Sequence, residues 1–282
     1  MRTEDLRAQM DDSYGQSFDH YIQYLKGNET LYEAARQLFP RIESSCDWEK
    51  YRAIGKPIFD EAVSKFPPVV SQDIYREIRK SSPDIRSFAD SVFCYSLGSN
   101  AKFALIEPWL KDKLAFLCFL GLQHSTALSV IDLGCGAGHF GLLCRAAGHD
   151  FTGIDIADPI FAQITPPMGT EYVDDPVHPR FFQTSYASSR FDLITGFLIN
   201  FNIESSGSVW REDGWATFLE GAISSLNPGG RICFLLNTQT SREGLIAADG
   251  SLQRFLQSCG FKIYNNGGAY PGPRVAIFTK AA

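Results

Sequence analysis

Residues 130–141 read VIDLGCGAGHFG, and no other segment limits the possible folds of this chain so tightly. An apolar run ends in Asp132; Gly134, Gly136 and Gly138 follow at alternate positions; then an apolar helical stretch, LLCRAA, runs to a stop at Gly148. A strand that turns sharply into a helix opens a βαβ unit. Alternate glycines let the backbone turn tightly and leave no side chain between it and a ligand. In an open parallel sheet such a loop lies at the carboxyl end of a strand, where ligands of that architecture bind.

The rest of the chain after Thr126 has a matching texture. Short apolar runs predict strands at 128–133, 151–154, 180–183, 191–196, 231–236, 261–264 and 275–279, and amphipathic stretches predict helices at 139–147, 158–164, 210–226 and 250–259. Strand–helix alternation builds a mostly parallel sheet. The last two strands are joined only by NNGGAYPGP, too short for a crossover helix, so they should pair antiparallel. Residues 1 to about 125 read differently: apolar residues recur at three- and four-residue spacing, with breaks at Gly27, Pro40, Pro67-Pro68, Pro83 and Pro108. The expected organisation is a helical region over 1–125 and an α/β domain over 126–282.

Seventeen residues after Gly138 the second strand ends in Asp155 (FTGIDI). An acid there can accept both hydroxyls of a ribose. An ordinary turn with a surface aspartate is the competing reading, but strand, three glycines, helix and a second acidic strand end occur together and in order. A dinucleotide site would need glycine where His139 stands, and its loop does not follow an acid. Asp132 beside the loop repels a pyrophosphate and suits a ligand carrying an ammonium group.

On these residues the segment resembles motif I of the class I S-adenosylmethionine-dependent methyltransferases. FDLITGFL (Phe191–Leu198) resembles that family's fourth-strand motif, and SLNPGGRICFLL (Ser225–Leu236) its Pro-Gly-Gly turn before strand five. The resemblance covers about residues 126–280. It implies a Rossmann-like, doubly wound α/β sheet, mostly parallel with an antiparallel C-terminal hairpin strand, with the helical N-terminal part as a cap. It implies S-adenosylmethionine as donor and S-adenosylhomocysteine as product. The residues it places at the cofactor are Asp132, Gly134, Cys135, Gly136, Gly138, Asp155, Ile156, Ser185, Tyr186 and Phe197. Cys135 reads as a small residue facing the cofactor. The family's acid after strand three has no counterpart in FFQTSYAS, so Ser185 or Gln183 would have to substitute for it.

Composition limits the acceptor. The chain of 282 residues has a net charge of −6, with 16 Lys and Arg against 18 Asp and Glu before Leu128 and 10 against 14 after it. A nucleic-acid binder concentrates basic residues on one face, so nucleic-acid partners are not expected. The stretch TGFLINFN also lacks the Pro-Pro tetrad that some nucleobase and glutamine methyltransferases carry after strand four. Seven cysteines, at 46, 94, 118, 135, 144, 233 and 259, form neither a CxxC pair nor a zinc-spaced cluster, so no metal is expected. They fit reduced thiols in a cytoplasmic protein. The longest apolar run, Leu114–Leu122, is too short to span a bilayer, and the polar N-terminus lacks the apolar stretch of a secretory signal.

The expected reaction is methyl transfer to an oxygen or nitrogen of a small organic molecule, with protein or peptide methylation and a catalytically silent cofactor-binding partner as the alternatives. His178 in DDPVHPRFF and Glu204 in NFNIESSG are the candidate bases, each weighed against a solvated loop residue. Tyr14, Phe18, Tyr21, Tyr24, Phe39, Trp48, Phe93, Tyr95, Phe103 and Trp109 would supply a cap with core and an apolar acceptor pocket. The pattern sets no oligomeric state.

Overall fold

A computed structural model describes residues 125–281 except 171, 198–200, 203–208, 237–249 and 265–273, together with Ala53, Phe103, Trp109, Lys113, Phe116, Leu117 and 119–122 upstream. The chain divides into two compact units that interleave along the sequence. One comprises Met1–His124, Gly136–Ala146 and Asp158–Thr170; the other comprises Ser125–Cys135, Ala147–Ala157 and Glu171–Ala282.

The second unit is built on a seven-stranded sheet: β1 (Ser129–Leu133), β2 (Asp150–Asp155), β3 (Tyr172–Asp174), β4 (Phe191–Phe197), β5 (Leu226–Leu236), β6 (Lys262–Tyr264) and β7 (Arg274–Thr279). Their order is β3-β2-β1-β4-β5-β7-β6. The first five strands pair in parallel, and β7 runs antiparallel to both β5 and β6. Successive residues of the inner strands, such as Leu193 and Ile194 or Ile232 to Leu236, are buried, so both sheet faces are covered. The antiparallel hairpin expected from the short link is therefore present, while the link itself lies outside the described residues.

In the same unit, α3 (Phe181–Ser185), α4 (Glu212–Ser224) and α5 (Ser251–Ser258) complete the core. Helix α4 buries Trp215, Phe218, Leu219 and Ala222, an i, i+3, i+4, i+7 stripe. Phe181, Phe182, Trp210 and Phe234 join that stripe in one aromatic cluster. Lys280 donates to the carbonyls of Ile223 (3.0 Å) and Leu226 (2.7 Å), tying the end of α4 to the chain leaving β7. At the strands' amino ends, Asp192 accepts from the Ser129 amide (2.8 Å) and from Asn227 Nδ2 (2.7 Å), which pins β1 and the Pro-Gly-Gly segment to β4. That segment lies within β5, with a register shift opposite Phe191 and Leu193 and a left-handed Gly229.

One strand was expected in the wrong place. The 180–183 stretch is the start of helix α3, and strand three is Tyr172–Asp174. Phe181 and Phe182 are both buried, which a strand at a sheet edge does not achieve and a helix packed under α4 does. The true β3 hides its signal because Val173 is exposed.

The first unit contains α1 (His139–Ala146) and α2 (Phe161–Met168). Helix α2 starts later than the expected 158: the Asp158 carboxylate accepts from the Ile160 and Phe161 amides, and the helix ends on a left-handed Gly169. Helix α1 buries His139, Phe140, Leu143 and Cys144. Phe103 packs against Trp109, Phe161 and His139, with ring centroids 4.8, 5.7 and 6.3 Å apart.

Candidate functional site

The carboxyl ends of β1, β2, β3 and β4 lie side by side, since the register pairs Leu133 with Ile154, Asp155 with Asp174 and Asp132 with Thr195. The chain runs outward from β1 to β2 and β3 on one side and to β4 and β5 on the other. The strand order thus reverses between β1 and β4, the place where open α/β sheets bind ligands.

Asp132 stands at that switch point. It is almost wholly buried, and its Oδ1 accepts a 2.7 Å hydrogen bond from Thr195 Oγ1. The chain then turns: Gly134 has φ +72°, and the Gly134 and Cys135 amides both donate to the Ile154 carbonyl (2.8 and 3.0 Å). A β-carbon at Gly134 would meet nothing within 4 Å, so the surface of this turn is bare backbone beside open space. The Cys135 sulfur packs instead onto β2, where a β-carbon at Gly153 would come within 2.8 Å of it. Burial pushes the Cys135 thiol well above its ordinary range, with the charges of Asp132 and Asp155 adding to the effect. It stays protonated.

Gly136 and Gly138 continue the loop within the first unit, both left-handed. A β-carbon at Gly136 would touch the Phe161 ring at 3.6 Å, whereas one at Gly138 would collide with Thr170. Gly138 therefore serves close packing as well as the turn. His139 begins α1, as its position in the sequence suggests, and is buried. Burial, and after it the Lys113 charge, lower its pKa to about 3 against the opposing effect of a hydrogen bond to the Phe103 carbonyl. Its Nε2 has no hydrogen-bond partner among the described residues.

At the end of β2, Asp155 Oδ1 accepts from the Ile156 amide (2.8 Å), which orients the carboxylate. Ile156 itself is 60% exposed, an apolar surface next to an acid. Two acids that the sequence reading passed over follow directly. Asp174 Oδ1 accepts from the Ala157 amide (3.0 Å), and the Asp175 amide donates to the Asp155 carbonyl (3.2 Å). Acids thus do stand at the end of strand three, because that strand lies earlier than expected. Ser185 donates to Asp175 Oδ2 at 2.8 Å, which links it to the same corner. Gln183 turns away and donates to the Thr217 carbonyl of α4 (2.8 Å).

Tyr186 packs on Phe181 and Phe191, with centroids 5.3 and 5.8 Å away, and its phenol is pushed up by burial and by Asp175. Phe197 closes β4. His178 is exposed in its loop and accepts from the Arg180 amide (3.2 Å). Glu204 and Leu198 lie outside the described residues, as do the expected aromatics of the N-terminal region other than Phe103 and Trp109. No cluster of metal-ligating side chains occurs among the described residues. None of the described helices is long and apolar enough to cross a membrane.

Five parallel strands with β7 reversed at the far side, a left-handed glycine turn after β1 and an acid closing β2 complete the pattern. The fold is the Rossmann-like, doubly wound sheet that the sequence resemblance implies, with its antiparallel hairpin strand.

No protein-family model matches the sequence, and no curated protein matches it. Among solved structures the chain is similar to TrmN from Thermus thermophilus, at 19% identity and TM-score 0.41 over 60% of this chain and 48% of that one. It is similar to the magnesium protoporphyrin IX methyltransferase ChlM from Synechocystis with bound SAH, at 12% identity and TM-score 0.42 over 64% and 85% of the two chains. It is also similar to the N-methyltransferase NodS from Bradyrhizobium japonicum, at 17% identity and TM-score 0.41 over 58% and 92%. The chain thus spans about half the length of TrmN.

Proposed function

We propose that this chain is a methyltransferase that uses S-adenosylmethionine and methylates an oxygen or nitrogen of a small organic molecule. The observation that carries the reading is the corner formed at the switch point: Asp132 beside a bare glycine turn, with Asp155 and the exposed Ile156 one strand away. These groups fit the parts of the donor. Asp155, held by the Ile156 amide and only partly buried, suits two neighbouring ribose hydroxyls. Ile156 offers an apolar face for a flat base. Asp132 places negative charge where an ammonium group is wanted.

S-adenosylmethionine, when bound, supplies an activated methyl sulfonium. The protein's share is to hold a nucleophile in line with it and keep water out. The Cys135 thiol does not compete for the methyl group, because burial and two carboxylates keep it protonated. His139, neutral and buried, is not placed as a proton acceptor for an incoming substrate. The candidate bases for a hydroxyl acceptor are Glu204, which follows β4 in the sequence, and the exposed His178. We assign residues 1–125 the role of cap over the acceptor. The acidic balance of both halves favours a small molecule over a nucleic acid.

The test is calorimetric titration with S-adenosylhomocysteine, followed by detection of that product during turnover with a panel of hydroxyl and amine acceptors. Micromolar binding and product release with a small acceptor are expected. No binding at millimolar ligand would overturn the donor reading. Binding without turnover on any acceptor class would favour a silent partner protein.

A further inference from the structure

We infer that Thr195 is a positioning residue for the donor's amino-acid end, acting through Asp132; the inference rests on the role given to Asp132 above.

Strand β4 is an inner strand, and its interior residues Leu193, Ile194 and Thr195 are each 0% exposed. Valine fills the same space as threonine there without bringing a polar atom into the core, so shape alone does not call for a hydroxyl. The register explains what does. Thr195 is paired with Asp132 on β1 and with Cys233 on β5, which places it in a row across the three strands at the switch point.

The Thr195 hydroxyl lies 2.7 Å from Asp132 Oδ1 and 3.3 Å from the Ile131 carbonyl. A hydroxyl has one hydrogen to donate, and the shorter contact, to the charged acceptor, takes it. A buried carboxylate oxygen needs a hydrogen-bond donor, and the Thr195 hydroxyl supplies one to Asp132 Oδ1. The Thr195 bond therefore helps to orient the carboxylate toward an ammonium group. Neither neighbouring thiol becomes a second anion: burial, against the lowering effect of the Arg231 charge, pushes Cys233 up to about 12, burial also raises Cys135, and the Asp132 charge adds to both.

The experiment compares two ligands on the full-length protein. S-adenosylhomocysteine carries the amino-acid end; 5′-methylthioadenosine has the same nucleoside without it. Thr195→Val should weaken S-adenosylhomocysteine about tenfold, the loss of one hydrogen bond to a charged group, and shift 5′-methylthioadenosine by less than about twofold. Thr195→Ala should show the same split, and Thr195→Ser, which keeps the hydroxyl, should restore binding to within about threefold. In an Asp132→Asn background Thr195→Val should have no further effect on either ligand. Equal affinity of wild type and Thr195→Val for S-adenosylhomocysteine would overturn the inference, and so would equal weakening of both ligands, which marks a general structural effect. Wild-type protein that binds 5′-methylthioadenosine and S-adenosylhomocysteine equally well would remove Asp132 from the ammonium role. Wild type that binds neither would sink the donor reading itself.

Discussion

Asp155 and His139 show how differently two polar residues of one loop region act. Asp155 is partly exposed at a strand end, where its carboxylate accepts from the Ile156 amide, so its removal should leave the fold intact. Asp155→Ala is expected to weaken S-adenosylhomocysteine binding by about 1.5–3 kcal/mol, the scale of hydrogen bonds to a charged group; calorimetry gives the answer, and unchanged affinity would take Asp155 out of the ribose role. His139 is buried with its pKa lowered to about 3, so its effect is on stability. Below about pH 6.5 the unfolded chain takes up a proton on this histidine that the folded chain refuses. Stability is therefore full above that pH and falls by about 1.4 kcal/mol per pH unit as acid is added, until the pH approaches 3. Urea unfolding at pH 7 and pH 5 should show a loss of about 2 kcal/mol that His139→Leu abolishes. An equal loss in the variant would assign the acid sensitivity to other groups. The sequence showed both residues, but not their difference: spacing marks a strand end or a helix start, whereas the ring packed on His139 is Phe103, distant along the chain.

The elements were legible where burial and periodicity agree. Buried strands β1, β4 and β5 read as continuous apolar runs, and α4 read as a helix because Trp215, Phe218, Leu219 and Ala222 share one stripe. Strand three was illegible for the opposite reason: it is an edge strand of three residues with Val173 exposed, while the apolar pair Phe181-Phe182 next to it belongs to a helix. That error also concealed Asp174 and Asp175. The glycine loop was legible as a turn, but its glycines looked equivalent and are not. Gly134 borders open space, so Gly134→Ala pays only for a left-handed alanine, about 1–2 kcal/mol, and should mainly impair donor binding. Gly138 adds a collision with Thr170 to the same backbone cost. Gly138→Ala should therefore lower the melting temperature by clearly more than Gly134→Ala. Thermal melts of the two variants decide it, and equal shifts would mean that Thr170 moves aside freely.

At the scale of the whole chain, the interleaving of the two units determines what can be cut away. Helices α1 and α2 follow β1 and β2 in sequence, yet they cluster with residues 1–124 rather than with the sheet. The apolar residues they bury include Phe140, Leu143, Phe161 and Ile164, and Phe103 from the N-terminal part is packed against Phe161. A fragment of residues 125–282 keeps these helices and loses the partner with which they form a compact unit. Burying each such side chain stabilises by about 1.5–3 kcal/mol, a large share of the 5–15 kcal/mol that holds a domain together. The fragment is therefore expected to bind a hydrophobic dye, to melt at a much lower temperature than the full chain, and to lose affinity for S-adenosylhomocysteine because Gly136 and Gly138 lie in the unit left incomplete. A fragment that melts cooperatively at the full-length temperature and binds the product equally well would show that the sheet and its two following helices fold without the first 124 residues.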